Sequence, residues 1–148
     1  MAVRISISEI INKCSKFKTA DEKVEWLKKN DSQPLRQILQ VTYDKDNVEW
    51  LVPDTPPPWT KNEYEDEAKA LLYKEARRLK IFLKGGGYDN LDQVKRESLF
   101  ISLLEDIDND DAKLLAHNML SHTKVKGLTL PTLLEAFPDL LTTPMDMR

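Results

Sequence analysis

The chain is poor in cysteine, glycine and long apolar runs, and each scarcity excludes a class of protein. The single cysteine, Cys14, excludes an internal disulfide and is typical of a reducing cytoplasm. Four glycines among 148 residues leave little room for tight β-hairpins. No apolar run approaches the roughly 18 residues of a membrane span, and the N-terminus lacks the apolar core of a signal peptide. We therefore expect a cytoplasmic protein without membrane association.

The charge balance is close to neutral. The 22 basic and 25 acidic side chains give a net charge of -3, so strong nucleic-acid binding by the whole surface is excluded and only a local basic patch would support it. A hydrophobic content of 41% and a charged content of 32% are typical of a soluble globular domain of this length.

No set of residues predicts catalysis. His117 and His122 are five residues apart, which does not align them on one helix face, and Cys14 is remote in sequence, so a metal site has no support. Phosphate-binding loops, nucleophile elbows and metalloprotease motifs do not occur. The sequence predicts a protein that is not an enzyme and needs no cofactor or metal.

Helix start signals recur along the chain. Capping boxes at Ser6, Thr19 and Thr60 place a glutamate three residues after each hydroxyl. We predict an all-α, single-domain bundle of about six to seven helices over residues 1–141 and a flexible tail over residues 142–148. The predicted helices are Ile7–Lys16, Thr19 to near Asn30, Ser32 to about Tyr43, Thr60 to about Lys84, Asn90 to about Ile107, Asp110 to Ser121, and Thr129 to Phe137. The fifth is apolar nearly all round, which predicts the central helix.

A proline-rich loop separates the third and fourth predicted helices. Val48–Val52 is compatible with a short extended segment, whereas Pro53–Trp59 is too rich in proline for helix or central strand. We expect Trp50 and Trp59 to pack against this loop. The prolines favour a stiff connector over a polyproline segment that serves a partner.

A basic turn hinged at a glycine precedes the last predicted helix. Thr129 is a natural N-cap, and the unpaired N–H groups of a helix start carry partial positive charge. With Lys124 and Lys126 beside them, these groups form a plausible seat for a phosphate. The other reading is a terminal helix that closes the core, with Leu130, Leu133, Leu134 and Phe137 buried. Both readings can hold at once.

Two further features extend the basic character. Arg77, Lys80 and Lys84 lead into Gly85–Gly87, where missing side chains let a ligand approach the backbone. The same lysines and arginine also suit the C-terminal end of a helix dipole, which is the alternative reading. His122 lies in the basic turn and is a candidate phosphate contact. The candidate DNA-binding residues are Lys124, Lys126, Gly127, Thr129, Lys84, Gly85, Arg77, Lys80 and His122.

Three stretches, in order, carry a resemblance to a known family. They are Thr19–Tyr43, Ala76–Leu91, and Gly127-Leu128-Thr129 through Phe137-Pro138-Asp139-Leu140-Leu141. In these stretches the chain resembles the N-terminal, all-helical DNA-binding domain of phage-type ATP-dependent DNA ligases. The likeness covers roughly Ile7–Leu141 and implies a phage or phage-derived origin, hence the host cytoplasm.

The resemblance implies a domain that holds duplex DNA by its backbone, mainly across the minor groove. It implies phosphate contacts at Lys84, Gly85, Lys124, Lys126, Gly127 and Thr129. Three features depart from the family: Asp139 stands where the family usually has glycine, the turn at residues 122–126 lacks the arginine-aspartate-leucine pattern, and the adenylation domain with its lysine-x-aspartate-glycine motif is missing. Sealing of nicks by this chain alone is therefore not expected.

Two functions follow as hypotheses. The first is a non-catalytic module that binds duplex DNA through phosphate contacts with weak sequence preference. The alternative is an adaptor that kept the fold and lost DNA binding, and that contacts a phage or host protein of replication, transcription or the virion. The net charge of -3 favours the alternative.

Overall fold

The computed structural model describes residues 5–53, 59–60 and 71–142, apart from the side chains of Leu71, Lys74 and Arg77. Several predicted features lie outside these residues: the proline segment 54–58, the first half of the fourth helix at 61–70, the side chain of Arg77 and the tail 143–148. Over the described ranges the chain folds as a single all-α domain, as the sequence predicts. Extended pairing within them is limited to one antiparallel bridge between Trp50 and Leu83.

The helices follow one another in the predicted order. They are α1 (Ile7–Lys16), α2 (Ala20–Lys29), α3 (Gln33–Tyr43), α4 (Leu71–Glu75), α5 (Gln93–Asp106), α6 (Asn109–Leu114) and α7 (Leu130–Ala136). A 3₁₀ segment (Ala76–Phe82) continues α4, and a π-helical segment (Leu115–Met119) continues α6. Within the described part of the chain, no helix has the length and apolar character needed to cross a lipid bilayer.

The first three helices begin at the predicted caps. Ser6, Thr19 and Ser32 each have extended backbone angles, and each hydroxyl accepts the backbone N–H three residues later. Such a bond satisfies one of the donors that the first helical turn leaves unpaired. These three boundaries are therefore fixed by local side chains, which is why the sequence predicts them closely.

The fourth predicted helix ends earlier than Lys84. Regular α-helix stops at Glu75, the 3₁₀ segment stops at Phe82, and Leu83 is extended and pairs with Trp50. Gly85, with φ of +82°, lies in a turn beyond the helix rather than at its C-terminal cap. The prediction of a helix to Lys84 is wrong at this end.

Backbone hydrogen bonds to the preceding loop explain the early stop. The Leu51 N–H donates to the Phe82 carbonyl at 2.7 Å, and the Lys84 N–H donates to the Glu49 carbonyl at 2.9 Å. Residues 49–51 thus occupy backbone groups that a longer helix would have paired internally. The extended segment expected in Val48–Val52 is confirmed in this short pairing.

The central helix is α3 rather than α5. Seven of its residues are buried, and it packs against α4, the 3₁₀ segment and the π-helical segment. In contrast, α5 lies against α6 and the 3₁₀ segment with one face, and Val94 in its first turn is 75% exposed. The apolar run in α5 predicted the wrong central helix because Leu99 and Ile101 are only half-buried.

The acidic turn before α6 has two separate roles. The carboxylate of Asp108 accepts the N–H groups of Asp110 and Asp111 and so caps the start of α6. Asp111 itself is fully buried, and its Oδ1 accepts the Ser8 N–H in the first turn of α1 at 2.8 Å. Its Oδ2 is buried without a hydrogen-bond partner among the described residues.

Stability is expected to fall as pH rises through neutrality because of Asp111. Burial raises the pKa of this carboxyl to about 7, hydrogen bonds from Ser8 oppose the shift, and the nearby charges of Asp108 and Asp110 add to it. In the unfolded chain the Asp111 carboxyl has the ordinary aspartate pKa of ~3.9. The protonated carboxyl therefore contributes its full stabilisation of the fold below that pH, and this contribution is lost as pH rises through the folded-state pKa of about 7.

Urea denaturation of the protein and of Asp111→Asn, measured from about pH 4 to pH 8, tests this expectation. The amide cannot ionise, so the difference in unfolding free energy between the two proteins should shift in favour of the variant as pH rises. Parallel pH profiles would show that Asp111 does not titrate in this range.

Candidate nucleic-acid interface

The basic turn packs against the C-terminal end of α1 and the first turn of α2. Gly127 has a φ of +86°, and a Cβ placed on it would lie 2.6 Å from the Ser15 carbonyl oxygen. The Lys23 ammonium donates to the Gly127 carbonyl. Glycine is required here both for the left-handed backbone and for the close approach to α1.

Tyr43, the last residue of α3, holds the same turn from the other side. Its hydroxyl accepts the Val125 N–H at 3.0 Å and donates to the Leu128 carbonyl at 2.7 Å. Burial raises the pKa of Tyr43 to about 12, so the hydroxyl stays protonated and can serve both partners. One phenol group thus fixes the backbone on both sides of Lys126.

Thr129 begins α7 but does not cap it as predicted. Its backbone is extended, as an N-cap requires, yet its Oγ1 lies 3.0 Å from the Thr132 Oγ1 and accepts no backbone N–H from the described part of the helix. Pro131 lies in the first turn of α7, where its missing N–H costs nothing. The helix is also only seven residues long, so its dipole adds little to anion binding.

The two lysines of the turn are open to solvent. Lys124 and Lys126 are exposed, and neither forms an ion pair or hydrogen bond with a described residue. Sequence reasoning missed Lys23, because only the docking of the turn on α1 and α2 brings its ammonium to the Gly127 carbonyl.

The lysine turn surface is defined as Lys124–Thr129 together with Lys23. The apolar side of α7 packs as the second reading predicted: Leu133 and Phe137 are buried, while Leu130 and Leu134 are half-buried. Gly127 and Thr129 are both exposed residues. Core closure and an accessible basic turn therefore coexist in this segment.

The second predicted basic group, around Lys84 and Gly85, has acidic partners that the lysine turn surface lacks among the described residues. The Gly85 N–H donates to both oxygens of the Asp89 carboxylate, at 3.0 and 3.1 Å, so it is not free for a phosphate. The Lys84 ammonium lies 3.4 Å from a carboxylate oxygen of Glu49. Gly86 packs so closely on the Lys80 carbonyl that a Cβ would lie 2.1 Å from its oxygen. Acidic partners thus occupy two of the groups that were predicted to bind DNA, the Gly85 N–H and the Lys84 ammonium, whereas Lys80 is exposed.

Two open grooves flank the loop that follows α3. The first, of about 450 Å³, lies between this loop and the turn at Gly85–Gly87, and Lys80 and Lys84 line it. The second, of about 640 Å³, lies between the same loop and His122. Asn47, Val48 and Glu49 line both. The loop therefore separates the Gly85 group from His122, and the predicted residues do not form one continuous site.

The remaining residues considered in the sequence analysis are His122, Arg77 and Cys14. The His122 ring is half-buried, its backbone φ is +53°, and its Nδ1 lies 3.3 Å from the Thr42 carbonyl oxygen. The side chain of Arg77 lies outside the described residues. Its neighbour Arg78 pairs with Glu75 at 2.7 Å. Burial raises the pKa of the Cys14 thiol to about 11, so this cysteine is a packing residue.

Comparison with known proteins identifies a family whose function is unknown. The chain matches the family described as "Family of unknown function (DUF6433)" over residues 10–125. It belongs to this family. The match begins within α1, includes α2–α6, both grooves and Lys124, and ends before Gly127 and α7. No curated protein and no solved structure matches the chain, so the likeness to DNA ligase domains stays a prediction.

Replacement of Gly127 by alanine should be more damaging than replacement of Gly85. Both have positive φ, which costs an alanine about 1–2 kcal/mol, but only the Gly127 Cβ would meet a backbone atom, whereas no described atom lies within 4 Å at Gly85. Denaturant unfolding of Gly127→Ala and Gly85→Ala should show the larger loss of stability for the first. Equal losses would mean that the turn is not seated on Ser15.

Removal of the Tyr43 hydroxyl should loosen the turn without unfolding the protein. Tyr43→Phe leaves the Val125 N–H and the Leu128 carbonyl without their partner, at a cost of about 1–3 kcal/mol. Hydrogen exchange of the Val125 amide should accelerate. Tyr73→Phe is the matched control, since the Tyr73 hydroxyl donates to the Ile5 carbonyl at 2.9 Å. An unchanged Val125 exchange rate in Tyr43→Phe would exclude the anchoring role.

Proposed function

We propose that the protein is a non-catalytic module that binds duplex DNA by its phosphate backbone through the lysine turn surface. The observation that carries this proposal is that Lys124 and Lys126 form no ion pair with any described residue. Both lysines are exposed, and they lie just before the exposed Gly127. Tyr43, Ser15 and Lys23 hold that backbone in place, so binding does not have to order it.

The charge balance limits the affinity. With a net charge of -3, the protein attracts DNA only where lysines are concentrated, and a few phosphate contacts supply the whole electrostatic term. Each contact should make log K fall by ~0.9 per log unit of salt. Phosphate contacts position a protein without reading bases, so sequence preference should be weak.

The Gly85 turn is left out of this proposed contact surface. Asp89 occupies the Gly85 N–H, and Glu49 neutralises Lys84 at its edge. A DNA strand lying on that turn would meet the carboxylates of Asp89 and Glu49 as well as the lysines, which weakens its attraction to the turn. The proposed surface is therefore smaller than the one predicted from the sequence.

Charge reversal at the turn tests the proposal. Lys124→Glu with Lys126→Glu should abolish binding of a fluorescent duplex in anisotropy measurements, because two attractive charges become repulsive. Replacing both lysines by alanine should instead lower the slope of log K against log salt by ~0.9 for each phosphate that is no longer neutralised. Both variants should keep the helical circular dichroism signal.

The matched control is Lys95→Glu with Lys113→Glu, which changes the net charge equally at exposed positions on α5 and α6. This variant should retain most of the affinity. If both double variants lose binding to the same degree, net charge rather than the lysine turn surface governs the interaction. If the turn variant still binds, the contact surface lies elsewhere.

A specific observation favours the adaptor as a second candidate. Tyr88 and Val94, 42% and 75% exposed, both lie at the entry to α5, where Arg96 donates to the Tyr88 carbonyl at 2.7 Å. Exposed apolar side chains at one place are typical of protein contacts. Capture of a partner protein after nuclease treatment, abolished by Tyr88→Ser with Val94→Ser, would support this candidate, and capture that needs DNA would contradict it.

A further inference from the structure

The buried carboxyl of Asp111 lies where the first turns of two helices meet. Asp111 belongs to the first turn of α6, and its Oδ1 accepts the N–H of Ser8 in the first turn of α1 at 2.8 Å. Asp111 is 0% exposed and Ser8 is 1% exposed, so this contact is shielded from water. Asp111 forms no ion pair with any described residue. The junction between α1 and α6 therefore contains a carboxyl group without a described counter-ion.

The two oxygens of this carboxyl differ in their partners. Oδ1 has the Ser8 N–H, whereas Oδ2 is buried without a hydrogen-bond partner among the described residues. In the protonated group, the proton can sit on Oδ2 and the whole carboxyl is neutral. In the ionised group, Oδ2 shares a negative charge that no described N–H solvates, and a charge is far more costly to bury than an unpaired hydroxyl. Ionisation therefore favours any movement that brings water to Oδ2.

The surroundings of the junction add to the cost of a negative charge. Asp108 and Asp110, at the start of α6, act on Asp111 as like charges, and Glu9 of α1 acts on Asp108 in the same way. Asp108 also accepts the N–H groups at the start of α6, which would otherwise stabilise an anion. The π-helical segment and the end of α5 also pack against α6, and their titratable groups are Glu105, Asp106 and His117. None of these three forms an ion pair with Asp111.

We propose that Asp111 is a pH-sensitive latch, which holds the first turn of α1 on α6 while it is protonated and releases that turn when it ionises. The release is confined to the first turn, because separate contacts hold the far end of α1. There Cys14 is fully buried with its Sγ 3.6 Å from the Lys23 carbonyl oxygen, and Gly127 packs on the Ser15 carbonyl. The central helix α3 packs mainly against α4, the 3₁₀ segment and the π-helical segment, so it keeps its neighbours.

Hydrogen exchange of the Ser8 amide, compared between the protein and Asp111→Asn from about pH 5 to pH 8, tests the latch. Asparagine keeps an oxygen for the Ser8 N–H and cannot ionise, and the comparison at each pH cancels the intrinsic pH dependence of exchange. Burial raises the pKa of Asp111 to about 7, whereas a hydrated aspartate has a pKa of ~3.9. The ratio of the two exchange rates should therefore rise about tenfold per pH unit below pH 7 and level off above it.

Urea separates local release from unfolding of the whole domain. Ser8 should exchange faster than Ile38 in the buried helix α3 and should be insensitive to low urea concentrations, because release of one turn exposes little surface. The Cys14 thiol, labelled with 4,4′-dithiodipyridine, should follow Ile38 in its dependence on urea. If Ser8, Cys14 and Ile38 share one opening free energy and one urea dependence, the turn is not released separately and the proposal is wrong.

Ser8→Ala supplies a second variant that does not alter the carboxyl. The Ser8 side chain hydrogen-bonds to Asp111 and lowers its pKa, so its removal should move the pH at which exchange levels off to a higher value. Position 8 keeps its N–H, and exchange is expressed relative to the intrinsic rate. Ser98→Ala, at an exposed position of α5, is the matched control and should leave the profile unchanged. A profile without pH dependence in the unchanged protein, or one that Ser8→Ala does not move, would overturn the latch.

Discussion

The backbone of the segment Val125–Leu128 depends on the hydroxyl of Tyr43. This group accepts from Val125 and donates to Leu128, and so it attaches an irregular segment to the end of the buried helix α3. The neighbouring Thr42 carbonyl faces His122, and the Asp44 carboxylate accepts the Asn47 N–H and shapes the loop that follows. Three successive residues at one helix end thereby contact the lysine turn surface, His122 and the loop between the two grooves.

A buried helix is a suitable base for such an arrangement. Its residues pack against neighbours on several sides, so its end moves little relative to the rest of the domain. Loops attached to a rigid element keep their geometry, whereas their exposed side chains remain free to meet a ligand. The two glycine turns differ in this respect. Gly127 lies in a turn whose lysines are exposed, whereas the Gly85 N–H donates to the carboxylate of Asp89.

Helix starts were predictable because their causes are local. Ser6, Thr19 and Ser32 act on backbone groups within three residues, and a sequence shows that spacing directly. The end of the fourth helix was not, because it depends on a pairing between Leu83 and Trp50 across the fold. The candidate site divides in the same way: Lys124, Lys126 and Gly127 follow from sequence, whereas the Asp89 contact to Gly85 and the position of Lys23 follow only from tertiary contacts.

The bond from Ser8 to Asp111 joins residues 103 positions apart. An N-terminal donor of α1 therefore finds its acceptor only after residue 111 has been made. On a ribosome, α1 would emerge with that amide hydrated and would complete its first turn only when α6 arrives. The opening and closing parts of the described chain are thus interdependent in folding, and a shortened chain lacking α6 would lose order at its beginning as well as at its end.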